Sequence, residues 1–189
     1  MKKIKMLNRV SLDGYYAGPN GEIDWFIHDP EVDKASHEMM QADTVLFGRS
    51  TYQMFAAYWP LVGQDPTASE NDRSLSLELD RMTKVVFSNT LDGVTWMNSR
   101  LVKGDVTPIT QALKREAGTD ITVFGSGSLV QQLTNAGLID EYLFIVTPVI
   151  LGAGKSLFDR VSRRDLNLIE TRHFASGNIL IHYKQIGRA

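Results

Sequence analysis

The apolar positions along the chain change period several times, and each change marks an element. Ile4-Lys5-Met6-Leu7-Asn8-Arg9-Val10 alternates apolar and polar and predicts a strand. From Ser11 to Asp24, Gly, Asp, Asn and Pro break any period, which predicts a loop. Val32, Ala35, Met39 and Ala42 recur at three- and four-residue steps, a helix over 31–42 opened by the Asp29-Pro30 cap. Thr44 to Phe47 is a short apolar strand stopping at Gly48, and Ser50 to Tyr58 reads as the next helix. The polar, turn-rich stretch Pro60 to Ser74 predicts a mobile loop.

Lys84 to Ser88 and Val94 to Trp96 read as further strands. A helix runs from Thr107-Pro108 to Glu116 and is ended by Gly118. Ile121 to Phe124 is a strand, Ser128 to Ala136 a helix with Gly137 just past its end, and Tyr142 to Ile150 an apolar strand. Two alternating runs, Leu166 to Phe174 and Ile179 to Lys184, flank Ser176-Gly177-Asn178 as a terminal hairpin. Strands alternating with helices imply crossover units, hence an α/β domain with a mostly parallel sheet.

At 189 residues, one domain spanning 1–189 is expected, long enough to bury a core without staples. The chain has no cysteine, which removes disulfides, thiolate metal sites and thiol nucleophiles. A net charge of -2 gives no basic stripe for nucleic acid. Met1-Lys2-Lys3-Ile4 enters strand-like sequence without a leader's apolar stretch. No window approaches the ~20 apolar residues of a membrane span. A soluble, cytoplasmic protein is therefore expected. None of the four histidines, His28, His37, His173 and His182, has metal-ligand spacing with another.

Two segments share one chemical logic. Phe47-Gly48-Arg49-Ser50-Thr51 and Phe124-Gly125-Ser126-Gly127-Ser128 each run strand, glycine, helix. Glycine allows a sharp turn and close backbone approach, and the helix start offers free N–H groups to an anion. Arg49 can grip a phosphate monoester in a bidentate fork. Two such sites at the carboxyl ends of parallel strands suit a ligand with more than one phosphate. Each segment also reads as an ordinary turn with hydroxyl caps. The run lacks the third glycine of the Rossmann fingerprint, and no P-loop lysine is present. Ser88 and Asn89 are small polar residues at another strand end. The loop from Asp13 to Trp25 offers aromatic walls and one carboxylate, able to stack on a planar ring and relay a proton.

These segments, with Leu138-Ile139-Asp140-Glu141 and Pro148-Val149-Ile150-Leu151-Gly152-Ala153-Gly154-Lys155-Ser156-Leu157-Phe158, resemble the dihydrofolate-reductase-like superfamily. The resemblance is nearest to the C-terminal reductase domain of the riboflavin-biosynthesis protein RibD, and it covers the whole chain. It implies a three-layer α/β/α fold with a mostly parallel mixed sheet of about eight strands and a C-terminal antiparallel hairpin. It also implies bound NADPH and hydride transfer to a C=N or C=O of a small heterocyclic or ribosyl substrate, of the 5-amino-6-(5-phosphoribosylamino)uracil type. By that resemblance Arg49 and Ser88 face the 2′-phosphate, with Asn89 nearby. Gly48, Ser50 and Thr51 meet the pyrophosphate, and Gly125, Ser126, Gly127, Ser128 and Leu129 cradle it from the other side. Asp13 and Trp25 would serve as the polar contact and aromatic wall at the reacting ring. A homodimer is the expected assembly. The first-helix acid of dihydrofolate reductases has two candidates here, Asp33 and Glu38. Dihydrofolate reduction, and nucleotide or flavin binding without catalysis, are the alternative readings.

Overall fold

The computed structural model describes residues 1–186. Its strands are β1 (Ile4–Ser11), β2 (Tyr15–Ala17), β3 (Thr44–Gly48), β4 (Thr83–Phe87), β5 (Ser99–Val102), β6 (Ile121–Phe124), β7 (Glu141–Thr147), β8 (Lys155–Ser156), β9 (Leu166–His173) and β10 (Ile179–Gln185). Its helices are α1 (Pro30–Met39), α2 (Arg49–Val62), α3 (Glu70–Arg81), α4 (Val106–Arg115) and α5 (Gly127–Ala136).

Eight strands form one sheet in the order β5-β4-β3-β6-β1-β7-β10-β9. Every neighbouring pair from β5 to β7 is parallel, and β10 runs against both β7 and β9. Alternation along the strands splits the core between two faces. In β3 and β4, Leu46, Val85 and Phe87 join the larger cluster with Leu129, Val130 and Leu133 of α5 and Leu113 of α4. Their neighbours Val45, Phe47 and Val86 join Tyr52, Leu79, Met82 and Trp96 on the opposite face, under α2 and α3. The result is the expected three-layer α/β/α sandwich.

Several boundaries differ from the sequence expectation. The expected loop over 60–74 is shorter than predicted, confined to 63–69: α2 continues through Pro60 to Val62, and α3 begins at Glu70. Leu75, Leu77 and Leu79 alternate like a strand, which masks α3, yet Leu77 is 50% exposed while Leu79 is buried. Val94 to Trp96 is not a strand. Tyr52 Oη instead accepts the Thr95 and Trp96 amides, each at 3.0 Å, so Trp96 is buried without sheet pairing. The strand at that edge is β5, and β7 stops at Thr147 because Pro148 has no N–H to continue the ladder. The expected 11–24 loop contains β2, which pairs with β8. Asp105, not Thr107, caps α4.

One buried amine crosses the second core. Lys84 Nζ donates to the carbonyls of Asp80, Met82 and Met97 at 3.0–3.2 Å and lies 4.5 Å from the Trp96 ring centroid. Burial pushes its pKa down to about 8. Between pH 8 and 10.5 the unfolded chain then holds more protons than the folded one, so this group raises stability as pH climbs. The stability of wild type relative to Lys84→Met should therefore rise across that window, by a ceiling of about 3 kcal/mol. Urea titrations at a series of pH values measure it, and parallel curves would contradict the assignment.

Candidate functional site

Gly48 ends β3 and Gly125 follows β6. The β3/β6 register of Leu46 with Val123, continued two residues, sets these glycines level at the carboxyl end of the sheet. Strand order also reverses here, because the chain leaves β1, builds β3, β4 and β5 outward, and returns to place β6 beside β1. That reversal opens a crevice at the strand ends.

The two turns are tied together. Gly48 N donates to Ser126 Oγ at 2.9 Å, and Ser126 N donates to Thr51 Oγ1 at 3.0 Å. Gly125 and Ser126 both hold left-handed backbone, with φ of 53° and 52°. For a serine this conformation costs about 1–2 kcal/mol, and the two cross-turn bonds offset it. The Asn8 amide donates to Gly125 O at 3.2 Å and fixes the peptide between them.

The helix starts set this end of the sheet apart. Asp29, Ser69 and Asp105 cap α1, α3 and α4 with their side chains. No side chain caps α2 or α5. Their leading N–H groups stand open where Ser50, Thr51, Gly127 and Ser128 line a cleft of about 890 Å³. Lys155 of β8 and Tyr16 of β2 also line it, so the small second sheet forms one wall.

Away from the helix starts, the cleft reaches Arg9 on β1 and Asp33 on α1. Arg9 Nη2 donates to Asp33 Oδ1 at 2.6 Å, and His28 Nδ1 lies 3.2 Å from Asp33 Oδ2. Burial pushes the Asp33 carboxyl above the usual range, against the pull of Arg9 and His28. Burial likewise lowers Arg9, which stays charged. The pair is therefore poorly solvated on both sides, and the aspartate is the partner able to take a proton. Between α1, α2 and α3 the cleft continues into a second lobe of about 310 Å³. Leu7, Asp33, Ser36, Trp59 and Phe124 line both lobes.

The structure brings some sequence-expected residues together and separates others. Ser50, Thr51, Gly125, Ser126, Gly127 and Ser128 share the cleft. The Gly48–Phe87 register sets the following residues Arg49 and Ser88 side by side. There Arg49 Nη1 donates to Thr90 Oγ1 at 2.9 Å, and Ser88 Oγ accepts the Thr90 and Leu91 amides. Asn89 Oδ1 instead holds the Gly104 amide at 3.1 Å. Leu129 is 2% exposed, and its side chain belongs to the core.

Asp13 lies outside the cleft lining. Its carboxylate accepts from Ser11 Oγ and from the Leu151 and Gly152 amides, bonds that lower its pKa and fasten the β1–β2 turn to the 151–152 segment. Trp25 stacks edge-on behind Phe26 at 4.6 Å, and Phe26 is the ring that faces the cleft, with Arg9 5.6 Å from its centroid. Of the two first-helix acids, Asp33 lines the cleft; Glu38 lies outside it, 3.9 Å from Arg172. Asn8, Arg9, Phe26 and Lys155 were not among the expected site residues, whereas Tyr16 comes from the loop expected to supply aromatic walls. The odd positions of β1 carried the signal for Arg9, a charged residue in a central strand, which burial tolerates only when paired.

A parallel sheet with one reversed strand, two uncapped helix starts at its switch point and a cleft running to a buried acid defines a dihydrofolate-reductase-like α/β domain. The chain belongs to the RibD C-terminal domain family, whose model matches residues 2–181. It is 34% identical over 175 residues to the uncharacterized protein YyaP of Bacillus subtilis (strain 168), covering 92% of this chain and 90% of that one. Among solved structures it resembles a candidate riboflavin-biosynthesis protein from Shewanella sp. PV-4, with TM-score 0.74 and 23% identity over 98% of this chain and 99% of that one. It also resembles the dihydrofolate reductase of Enterococcus faecalis complexed with NADP(H) and RAB-propyl, with TM-score 0.65 and 14% identity over 97% and 96%. These structural likenesses establish the fold.

Proposed function

We propose that this protein is an NADPH-dependent reductase of the RibD C-terminal type, acting on a C=N or C=O group of a small heterocycle. The observation that carries the proposal is the pair of uncapped helix starts, locked to each other through Ser126, that open into the cleft leading to Asp33. Their open N–H groups, with Ser50, Thr51, Ser128 and Lys155, form a donor set with no carboxylate among them, which suits a pyrophosphate. Arg49 and Ser88, one strand further out, suit an additional phosphate monoester.

When bound, NADPH supplies the hydride. The protein's part is binding, orientation and proton supply. Phe26 and Tyr16 wall the cleft and exclude water from a planar ring. Burial raises the Asp33 pKa against the pull of Arg9, so Asp33 is the group at the cleft able to take up a proton and pass it to the substrate beside the reduced carbon.

Titration followed by nicotinamide fluorescence tests the assignment, with saturation expected below ~100 μM, inside the usual range of enzyme binding constants. No binding at that concentration would sink it. Arg49→Ala should weaken NADPH about tenfold or more, the worth of a charge-assisted bond, while changing NADH little. Equal loss for both would remove Arg49 from the 2′-phosphate site. Elution at twice the monomer mass would support the homodimer implied by the family resemblance.

A further inference from the structure

The chain between β7 and β8 is poorly held by its own residues. Positions 150–154 read Ile-Leu-Gly-Ala-Gly, with two glycines and no side chain able to hydrogen-bond. Glycine loses the most backbone freedom on folding, so ordering this stretch is costly. It is nonetheless tied at one point. Leu151 N and Gly152 N donate to Asp13 Oδ1 and Oδ2 at 3.1 and 2.8 Å. Apart from the β2–β8 ladder, these are the only hydrogen bonds to positions 150–154 among the described residues. Asp13 is itself braced. Ser11 Oγ donates to its Oδ1 at 2.6 Å, and next to it Leu12 N donates to Val149 O at 2.8 Å.

The tether leads directly to Lys155. It sits on β8, a two-residue strand that pairs Tyr15 with Ser156 and Ala17 with Lys155. So short a ladder is not stable by itself. Gly154 lets the two chains meet, since a Cβ there would stand 2.5 Å from the Ala17 carbonyl oxygen. Gln131 Nε2 of α5 donates to Ser156 O at 3.2 Å and sets β8 beside that helix. Lys155 is the only lysine lining the cleft, and its Nζ ends beside Gly21, another lining residue. It makes no ion pair with a carboxylate among the described residues, unlike Arg9, which is taken by Asp33. An ammonium placed beforehand spares an anion part of the cost of ordering it.

We infer that Asp13, although outside the cleft, is a positioning residue for its anion-binding end, holding Lys155 in place through the 151–152 amides. The inference rests on the reductase reading above and deepens it, with NADPH as the anion. It fixes a sign that simple electrostatics would reverse. Asp13 is negative, so by charge alone its removal would tighten an anionic cofactor. Acting through Lys155, its removal weakens binding instead.

The test compares full-length wild type with Asp13→Ala, Asp13→Asn, Lys155→Ala and Asp13→Ala/Lys155→Ala. NADPH is titrated at several salt concentrations, with nicotinamide fluorescence as the readout. Lys155→Ala should raise Kd about fivefold, the worth of a partly exposed charge contact, and flatten its salt dependence. Asp13→Ala should raise Kd by a similar factor and flatten the same dependence. The double variant should bind no more weakly than Lys155→Ala alone, because the lost contact is shared. In the cofactor-free protein, hydrogen exchange over 149–156 should be faster in Asp13→Ala while α5 keeps its protection. Should Asp13→Ala fail to fold, Asp13→Asn, which keeps one acceptor oxygen, must show the same signs at smaller size. Unchanged or tighter NADPH binding by the Asp13 variants, losses that multiply in the double variant, or unchanged exchange over 149–156 overturns the inference. Wild type that does not bind NADPH condemns the reductase reading, whereas wild-type binding with unaffected Asp13 variants condemns only the role of Asp13.

Discussion

Asp33→Asn should lower kcat by about 10²–10³ while NADPH binding stays within a few-fold of wild type. The carboxyl lies away from the helix starts, so its loss leaves the cofactor donor set untouched. Asparagine keeps the shape and can still accept from Arg9, but it cannot give up a proton. The pH profile separates this role from mere support of the pocket. Burial raises the Asp33 pKa, so kcat in the wild type should fall as pH rises through that raised value and the proton is lost. The residual activity of the variant should lack that limb. A variant with wild-type kcat, or with an unchanged pH limb, would exclude Asp33 as the proton source.

Gly127→Ala should raise the Kd for NADPH at least tenfold and destabilise the fold by about 1–3 kcal/mol. An added Cβ at Gly127 would lie 2.5–2.6 Å from the Tyr16 ring, well inside contact distance. The ring tip must swing away, and the cleft it lines lies beside the open N–H groups of α5. The clash predicts its own remedy. In Gly127→Ala/Tyr16→Ala the obstruction is gone, so the second substitution should restore part of the stability lost to the first. A double-mutant cycle by urea denaturation reads this as a coupling between the two sites. Additive losses would show that Gly127 is required for another reason.

Much of the fold is legible in the residue pattern. The strands ending at Gly48 and after Phe124, the caps at Asp29 and Gly137, and the terminal hairpin each follow from a local signal that the packing does not override. The α3 helix is illegible because Leu75, Leu77 and Leu79 alternate, and only burial of one side against α2 tells the periods apart. Trp96 misleads for a related reason. It is apolar and β-favouring, yet its amide is satisfied by a tyrosine hydroxyl rather than by a neighbouring strand.

The site divides along the same line. Its glycine turns are local chemistry, so Gly48, Ser50, Thr51 and the 125–128 run can be named from the sequence. Asp13 and Trp25 have suitable side chains in a suitable loop, but which way a loop residue points depends on contacts far along the chain. For Asp13 these contacts are the amides of Leu151 and Gly152, which turn its carboxylate from the cleft. The acid at the cleft is Asp33, chosen over Glu38 because residues five apart on a helix point in different directions and only the former meets Arg9 of the central strand.

By itself, the sequence determined what is periodic or local: the α/β class, most of the strand and helix run, and two glycine-to-helix turns. Tertiary structure alone decided which distant segments meet. It set β6 between β3 and β1, tied the two turns through Ser126, and selected Asp33 and Phe26 for the cleft. The physical reason is that periodicity and capping are energies between near neighbours in the chain. Burial, charge pairing and pocket shape are energies between residues that only folding makes neighbours.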